Sequence, residues 1–214
     1  MKDNCVFLAS GSPRRKSIFD FICESFDILL PKNVDELKYH NEPPEKTVVE
    51  NAVKKAKSVL NEERKGIYIS ADTEVFFNGM VYGKPKDYND AFSMIKSLCG
   101  QKHIVASGVC IIDNLFHNEK IEFADISFVE FKMLSDTEIK SYISKNNVLD
   151  KAGAYAVQYG DKSIVRNVEG SVWNVVGFPL EKFYEIIKDK KYFNLFEKIT
   201  LYLNMDMADI CNML

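Results

Sequence analysis

Five short segments carry the residues best suited to chemistry. Ser10-Gly11-Ser12-Pro13-Arg14-Arg15-Lys16 sets three cations at the start of a helix. Cations there oppose the helix dipole, which favours negative charge. A bound anion removes the conflict, because free backbone N–H groups and two guanidinium forks then converge on phosphate oxygens. The plainer reading is a solvated basic turn. Ala71-Asp72-Thr73 follows an apolar strand. Asp72 can hold Mg²⁺ or orient a water toward phosphorus, or it can simply satisfy N–H groups in a turn.

Gly83-Lys84-Pro85-Lys86-Asp87 offers Lys84 as a point charge for a phosphate, or a surface turn. Asp150-Lys151-Ala152-Gly153-Ala154-Tyr155 has small residues that allow close backbone approach. Asp150 can cap it, and Gln158 can read a base edge through its amide. Tight packing without a ligand is the alternative. Asp35 and Glu36 can complete a metal site with Asp72 or stay solvated, and Lys55 can project into a cleft or into solvent.

Other chemistries find no support. G-x-S-x-G and the Walker A pattern G-x-x-x-x-G-K-[ST] are both missing. His40, His103 and His117 do not form H-E-x-x-H, and the five cysteines include no C-x-x-C pair. A thiolate zinc site and a disulfide framework are therefore not expected, and a reducing, cytoplasmic setting fits. A net charge of −3 over 214 residues argues against general binding to nucleic acid polymers. It leaves room for a local basic cleft. No apolar run reaches the length of a membrane span, and the N-terminus does not read as a signal peptide.

The elements that must position these residues follow from pattern. Residues 4–10 read as a buried strand, with Ser12 capping a helix that Pro13 opens. Phe26 to Leu30 reads as a second strand, followed by a polar loop over 31–44. The next helix is expected to start near Thr47, with Glu50 completing a capping box. Its apolar stripe is read as Val49, Ala52, Val53, Ala56, Val59 and Leu60. Ile67–Ala71 and Val75–Phe77 read as two separate strands, and Asn78-Gly79 as a hairpin turn. A helix covers about 88–98, with Gly100 after it. Residues 102–132 read as two long strands joined through Asp113-Asn114. Ser135 and Glu138 cap another helix, a strand lies near Ser163–Val168, and a last helix follows Pro179. The order suggests α/β or α+β with a mixed sheet. Residues 195–214 have helical apolar spacing and form a tail to a domain over 1–194.

LASGSPRR at 8–15, VDE at 34–36, SADTEV at 70–75, GKPKD at 83–87, LCGQKH at 98–103, DKAGAYAVQ at 150–158 and NVVGFPLE at 174–181 stand in order along the chain. Together they resemble the Maf family of nucleotide pyrophosphatases. The resemblance implies an α/β fold with an elongated mixed sheet, flanking helices and a deep cleft, related to the inosine triphosphate pyrophosphatases. It implies hydrolysis of nucleoside triphosphates to monophosphate and pyrophosphate with a divalent metal, Mg²⁺ or Mn²⁺. Asp72 matches the general base and Glu36 a polar residue of the cleft, and the two are expected to hold the metal. Arg14, Thr73 and Gln158 match positions linked to substrate selection. Ser10, Arg15, Lys55 and Lys84 match polar residues of the cleft, with the N–H groups after Ser12 beside them. The segment from Asp150 to Gln158, with NVVGFPL, is similar to the branch acting on dTTP and UTP. A purine branch acting on 7-methyl-GTP, and a non-catalytic regulator of cell division, are the alternatives. A homodimer is implied by the same resemblance. Glu74 and Phe76-Phe77 stand where small aliphatic residues are usual.

Overall fold

The structure, a computed structural model, describes residues 5–158 and 164–213. Asn4 and Ser163, where two of the expected strands begin, lie outside these residues, as does Leu214.

β1 (Val6–Ala9) is buried along its whole length. It runs parallel to β2 (Asp27–Leu29) on one side and to β3 (Ile67–Phe77) on the other. A strand covered on both faces has no polar side to show, which explains its unbroken apolar run. β3 continues antiparallel to β5 (Lys102–Asp113), then β6 (Glu119–Phe131), then β7 (Val165–Glu169). With β4 (Met80–Tyr82) beside β3, the described residues form a seven-stranded mixed sheet. The expected α/β class, with a mixed sheet flanked by helices, is the one observed.

Local signals place several elements. Ser12 caps α1 (Pro13–Ile22), its side chain accepting the Arg15 N–H at 3.5 Å. Asn78 and Gly79 both take positive φ, 49° and 74°, and close the β3–β4 hairpin. Ser135 and Glu138 form the reciprocal capping box of α4 (Asp136–Lys145). Asp87 caps α3 (Tyr88–Leu98).

Two expectations need correction. The helix expected at Thr47 starts three residues earlier, as α2 (Pro44–Val59), with no side-chain cap. Proline at the first helical position has its φ already set. Thr47 and Glu50 do other work: Thr47 Oγ1 accepts the Tyr39 N–H, and Glu50 accepts the Tyr39 hydroxyl at 2.9 Å. The buried face of α2 is also rotated from the expected stripe, and comprises Thr47, Val48, Asn51, Ala52 and Ala56. Second, the two strands expected at 67–71 and 75–77 are one. Asp72, Thr73 and Glu74 stay in the strand because β5 pairs them without a break, opposite Gly108, Ser107 and Ala106.

The sheet has two covered faces. α2 lies on one, with Val48, Ala52 and Ala56 over Phe76, Ala106 and Cys110. The other carries two apolar cores. One joins Val6, Leu8, Ile69, Ala71 and Val109 to α1, α5 (Val172–Val176) and α6 (Leu180–Ile187). It also takes in Phe196, Ile199 and Ile210 from the C-terminal segment, which ends in α7 (Met207–Met213). The second joins Val75, Val105 and Val129 to α3 and α4.

His103, on β5, belongs to this second region. It is 2% exposed, and its Nε2 lies 2.8 Å from the Tyr155 hydroxyl. Burial pushes its pKa down from 6.5 to about 4. The folded state therefore holds the neutral ring while the unfolded chain takes up a proton below 6.5. His103 gives its full stability above pH 6.5 and loses it as pH falls toward 4, a loss on the order of 3 kcal/mol. His103→Gln is expected to flatten that part of the stability curve. Urea melts at pH 7 and pH 5 check it, and an unchanged slope in the variant would place the effect elsewhere.

Candidate functional site

β1 pairs with β3 only as far as Ser70, and β4 joins only at Val75. Among the described residues, 71–74 therefore have no strand on that edge. A cleft of about 470 Å³ opens there. Because side chains alternate along a strand, the four residues serve both faces of the sheet. Asp72 and Glu74 point to the α2 side, and Thr73 to the side of α1 and α5.

On the α2 side, Asp72 is 4% exposed. Its Oδ1 accepts from Lys55 Nζ at 2.6 Å and its Oδ2 from Asn51 Nδ2 at 3.0 Å. Asn51 and Lys55 are four apart on α2, so they share the face turned to the sheet. Asn51 also grips the backbone of Leu37, accepting its N–H at 2.7 Å and donating to its carbonyl at 3.0 Å. One amide thus ties the loop that carries Glu36 to the carboxylate on β3. Lys55 Nζ lies 2.8 Å from Glu36 Oε1 as well, bridging the two acids.

Glu74 is 5% exposed, and among the described residues its Oε2 has no hydrogen-bond partner. Desolvation pushes its pKa up to about 8, Asp72 adds to the rise, and Lys38 opposes it. Carboxylate oxygens of Glu36, Asp72 and Glu74 lie within 4.8 Å of one another. Oxygen donors in such a group, with one buried oxygen unpartnered, fit a hard divalent cation.

On the opposite side, Thr73 Oγ1 accepts from Arg15 Nη2 at 3.0 Å, sits 2.8 Å from Ser107 Oγ and donates to the Gly177 carbonyl at 3.2 Å. Ser107 donates to the Asn174 carbonyl. Arg15 is 9% exposed, and burial brings its pKa down to about 10. Its Nε donates to Gly177 O at 2.8 Å and its Nη1 to Ser10 Oγ at 3.4 Å. Its fork therefore engages protein oxygens and leaves a buried positive charge behind the cleft. Arg14 donates from Nε to the Val176 carbonyl at 3.2 Å.

Ser10, Ser12, Arg14, Arg15, Glu36, Lys55, Asp72, Thr73, Lys84 and Gln158 all line this one cleft. Segments far apart in sequence meet because β1 and α5 end around the uncovered stretch of β3. Lys38 and Glu74 line it too and were not among the expected site residues. Nothing local marks Lys38. Glu74 had a signal, since Asp-x-Glu on a strand puts both acids on one face. Asn51 had one as well, one helical turn before Lys55. Asp150 does not cap the segment after it; it pairs with Lys151 Nζ at 2.6 Å, and the 3₁₀ turn Ala152–Ala154 has no side-chain cap. Gly153 takes φ 67°, and its N–H reaches the Gly83 carbonyl, joining two of the cleft segments. No helix among the described residues is long and apolar enough to cross a membrane.

Known proteins were compared with this chain. A dTTP/UTP pyrophosphatase of Caldicellulosiruptor saccharolyticus is 43% identical over 191 residues, covering 87% of this chain and 95% of that protein. A dTTP/UTP pyrophosphatase of Clostridioides difficile is 37% identical, covering 89% and 96%. Among solved structures, the Staphylococcus aureus Ham1 protein aligns with 15% identity and a TM-score of 0.40, covering 59% of this chain and 71% of that one. The sequence profile of the Maf-like proteins matches residues 5–190, and the chain belongs to that family.

Proposed function

We propose that this chain hydrolyses nucleoside triphosphates, dTTP and UTP first among them, to the monophosphate and pyrophosphate. The observation that carries the reading is the meeting, in one cleft, of a buried carboxylate group with Arg14, Arg15, Lys38, Lys55 and Lys84. Acids alone repel a triphosphate, and cations alone bind it without activating water. The full-length similarity to proteins named dTTP/UTP pyrophosphatase supports the same reaction.

In this reading Arg14, Lys84 and the N–H groups that follow Ser12 hold the phosphates at the start of α1. Arg15 keeps Thr73 in place and adds a charge that solvent screens little. Asp72 orients a water in line with the α-phosphorus and takes its proton. The water oxygen bonds to that phosphorus, the bridging bond to the β-phosphate breaks, and pyrophosphate leaves against Lys55 and Lys84. Thr73 and Gln158 contact the nucleoside and select a pyrimidine. Asp72 and Glu36 would hold the divalent cation, Mg²⁺ or Mn²⁺, which supplies Lewis-acid neutralisation of the phosphate charge. We assign the chemistry to residues 1–194 and a packing role to 195–214. The proposal takes the protein to be a cytoplasmic homodimer with no nucleic acid polymer as partner.

Pyrophosphate release from dTTP, UTP, 7-methyl-GTP and ITP, with Mg²⁺ or Mn²⁺, tests the proposal. Release from dTTP and UTP, with monophosphate as co-product, is expected. Release from purines alone discards the roles of Thr73 and Gln158. Nucleotide binding with no release from any of the four discards catalysis in favour of a regulatory role.

A further inference from the structure

Glu74 is a buried carboxyl group of the cleft that the reaction above does not use. It is 5% exposed, and its Oε2 lacks a hydrogen-bond partner among the described residues. A desolvated carboxylate oxygen without a partner is costly, and native proteins keep few of them. The nearby cation Lys55 does not serve it, because Lys55 Nζ is bonded to Asp72 at 2.6 Å and Glu36 at 2.8 Å.

Its position follows from the strand. Asp72 and Glu74 are two apart on β3 and share the α2 face. Continuous pairing with β5 through this stretch prevents either from turning away. Glu36 is brought to the same place by the grip of Asn51 on Leu37. The result is three carboxylates, each with an oxygen within 4.8 Å of the others, around one ammonium group. With Lys55 bridging two of the acids and Lys38 acting on Glu74, Oε2 of Glu74 still lacks a partner among the described residues, and a further cation supplies one.

We propose that Glu74 is a third carboxylate ligand of the divalent cation, so that this chain holds the ion before any nucleotide arrives. The inference rests on reading the cleft as a metal-dependent nucleotide site. Sites with one or two carboxylates usually rely on substrate phosphates to complete the shell. A third protein carboxylate removes that dependence.

Mn²⁺ binding to nucleotide-free protein provides the test, followed by the electron paramagnetic resonance signal of the free ion. The unmodified chain, Glu74→Gln, Glu74→Val and Asp72→Asn are compared. The unmodified chain is expected to bind Mn²⁺, and both Glu74 variants to bind it roughly tenfold or more weakly. Melting temperatures give a second readout that needs no binding isotherm. Without metal, Glu74→Val is expected to melt higher than the unmodified chain, since an unpartnered buried polar group is gone. The rise in melting temperature produced by Mn²⁺ is expected to shrink in both. Mn²⁺ affinity unchanged in both Glu74 variants but lost in Asp72→Asn overturns the proposal. An unmodified chain that releases pyrophosphate from dTTP yet binds no Mn²⁺ without nucleotide also overturns it, and leaves the assigned reaction standing. Failure of the reaction itself is read separately, from the nucleotide panel.

Discussion

Asp72→Asn is expected to lower pyrophosphate release roughly 10²–10⁴-fold, the range seen when a general base is removed. The change keeps size and shape but removes the group that takes the proton. It also sets an amide N–H against either Lys55 Nζ or Asn51 Nδ2, both of which donate to Asp72. The fold should survive. Lys55 keeps Glu36 as a partner at 2.8 Å, and repulsion between Asp72 and the buried Glu74 is relieved. Binding of dTTP should stay measurable, because Arg14, Lys84 and the start of α1 are untouched. Steady-state turnover, nucleotide binding and a thermal melt of the same preparation separate these effects. Turnover equal to that of the unmodified chain would remove Asp72 from the proton-transfer step.

Gly108→Ala should cost more in stability than any surface change. Gly108 lies on β5 opposite Asp72, directly beneath α2. A methyl group built there falls 2.3 Å from the carbonyl carbon of Val48, 2.4 Å from its oxygen and 2.5 Å from Val49 N. All three are backbone atoms of a helix, so no side chain can rotate aside. Overpacking of this kind costs about 1–3 kcal/mol where side chains can give way, and more is expected here. The helix has to lift, and it carries Asn51 and Lys55. The variant should therefore lose both stability and turnover in its folded fraction. Denaturant melts and activity per folded molecule measure the two losses. A variant with unaltered stability would mean that α2 has slack over β5.

Signals confined to a few residues were readable in the chain. Ser12-Pro13 capped α1 as expected, Asn78-Gly79 turned the hairpin, and Ser135 with Glu138 boxed α4. The mixed sheet followed from the order of apolar runs, and all ten expected site residues line one cleft. What was missed depends on partners distant in sequence. Asp72–Glu74 looks like a break between strands until β5 is placed beside it. Thr47 and Glu50 look like a capping box, but the loop at Tyr39 claims both side chains. Asn51 looks like an interruption of an apolar stripe until Leu37 and Asp72 meet it. In each case a polar residue is held by groups 8 to 36 positions away, beyond the reach of any local pattern.

The short gap along β3, between the end of β1 pairing and the start of β4 pairing, has a second consequence. Uncovered strand edges are where protein molecules add to one another and begin to aggregate. Among the described residues the uncovered length is only 71–74, too short to pair stably with a neighbouring strand. The opening that admits a small anionic ligand is thus also protected against a neighbouring chain. The gap is long enough for a ligand and too short for a strand.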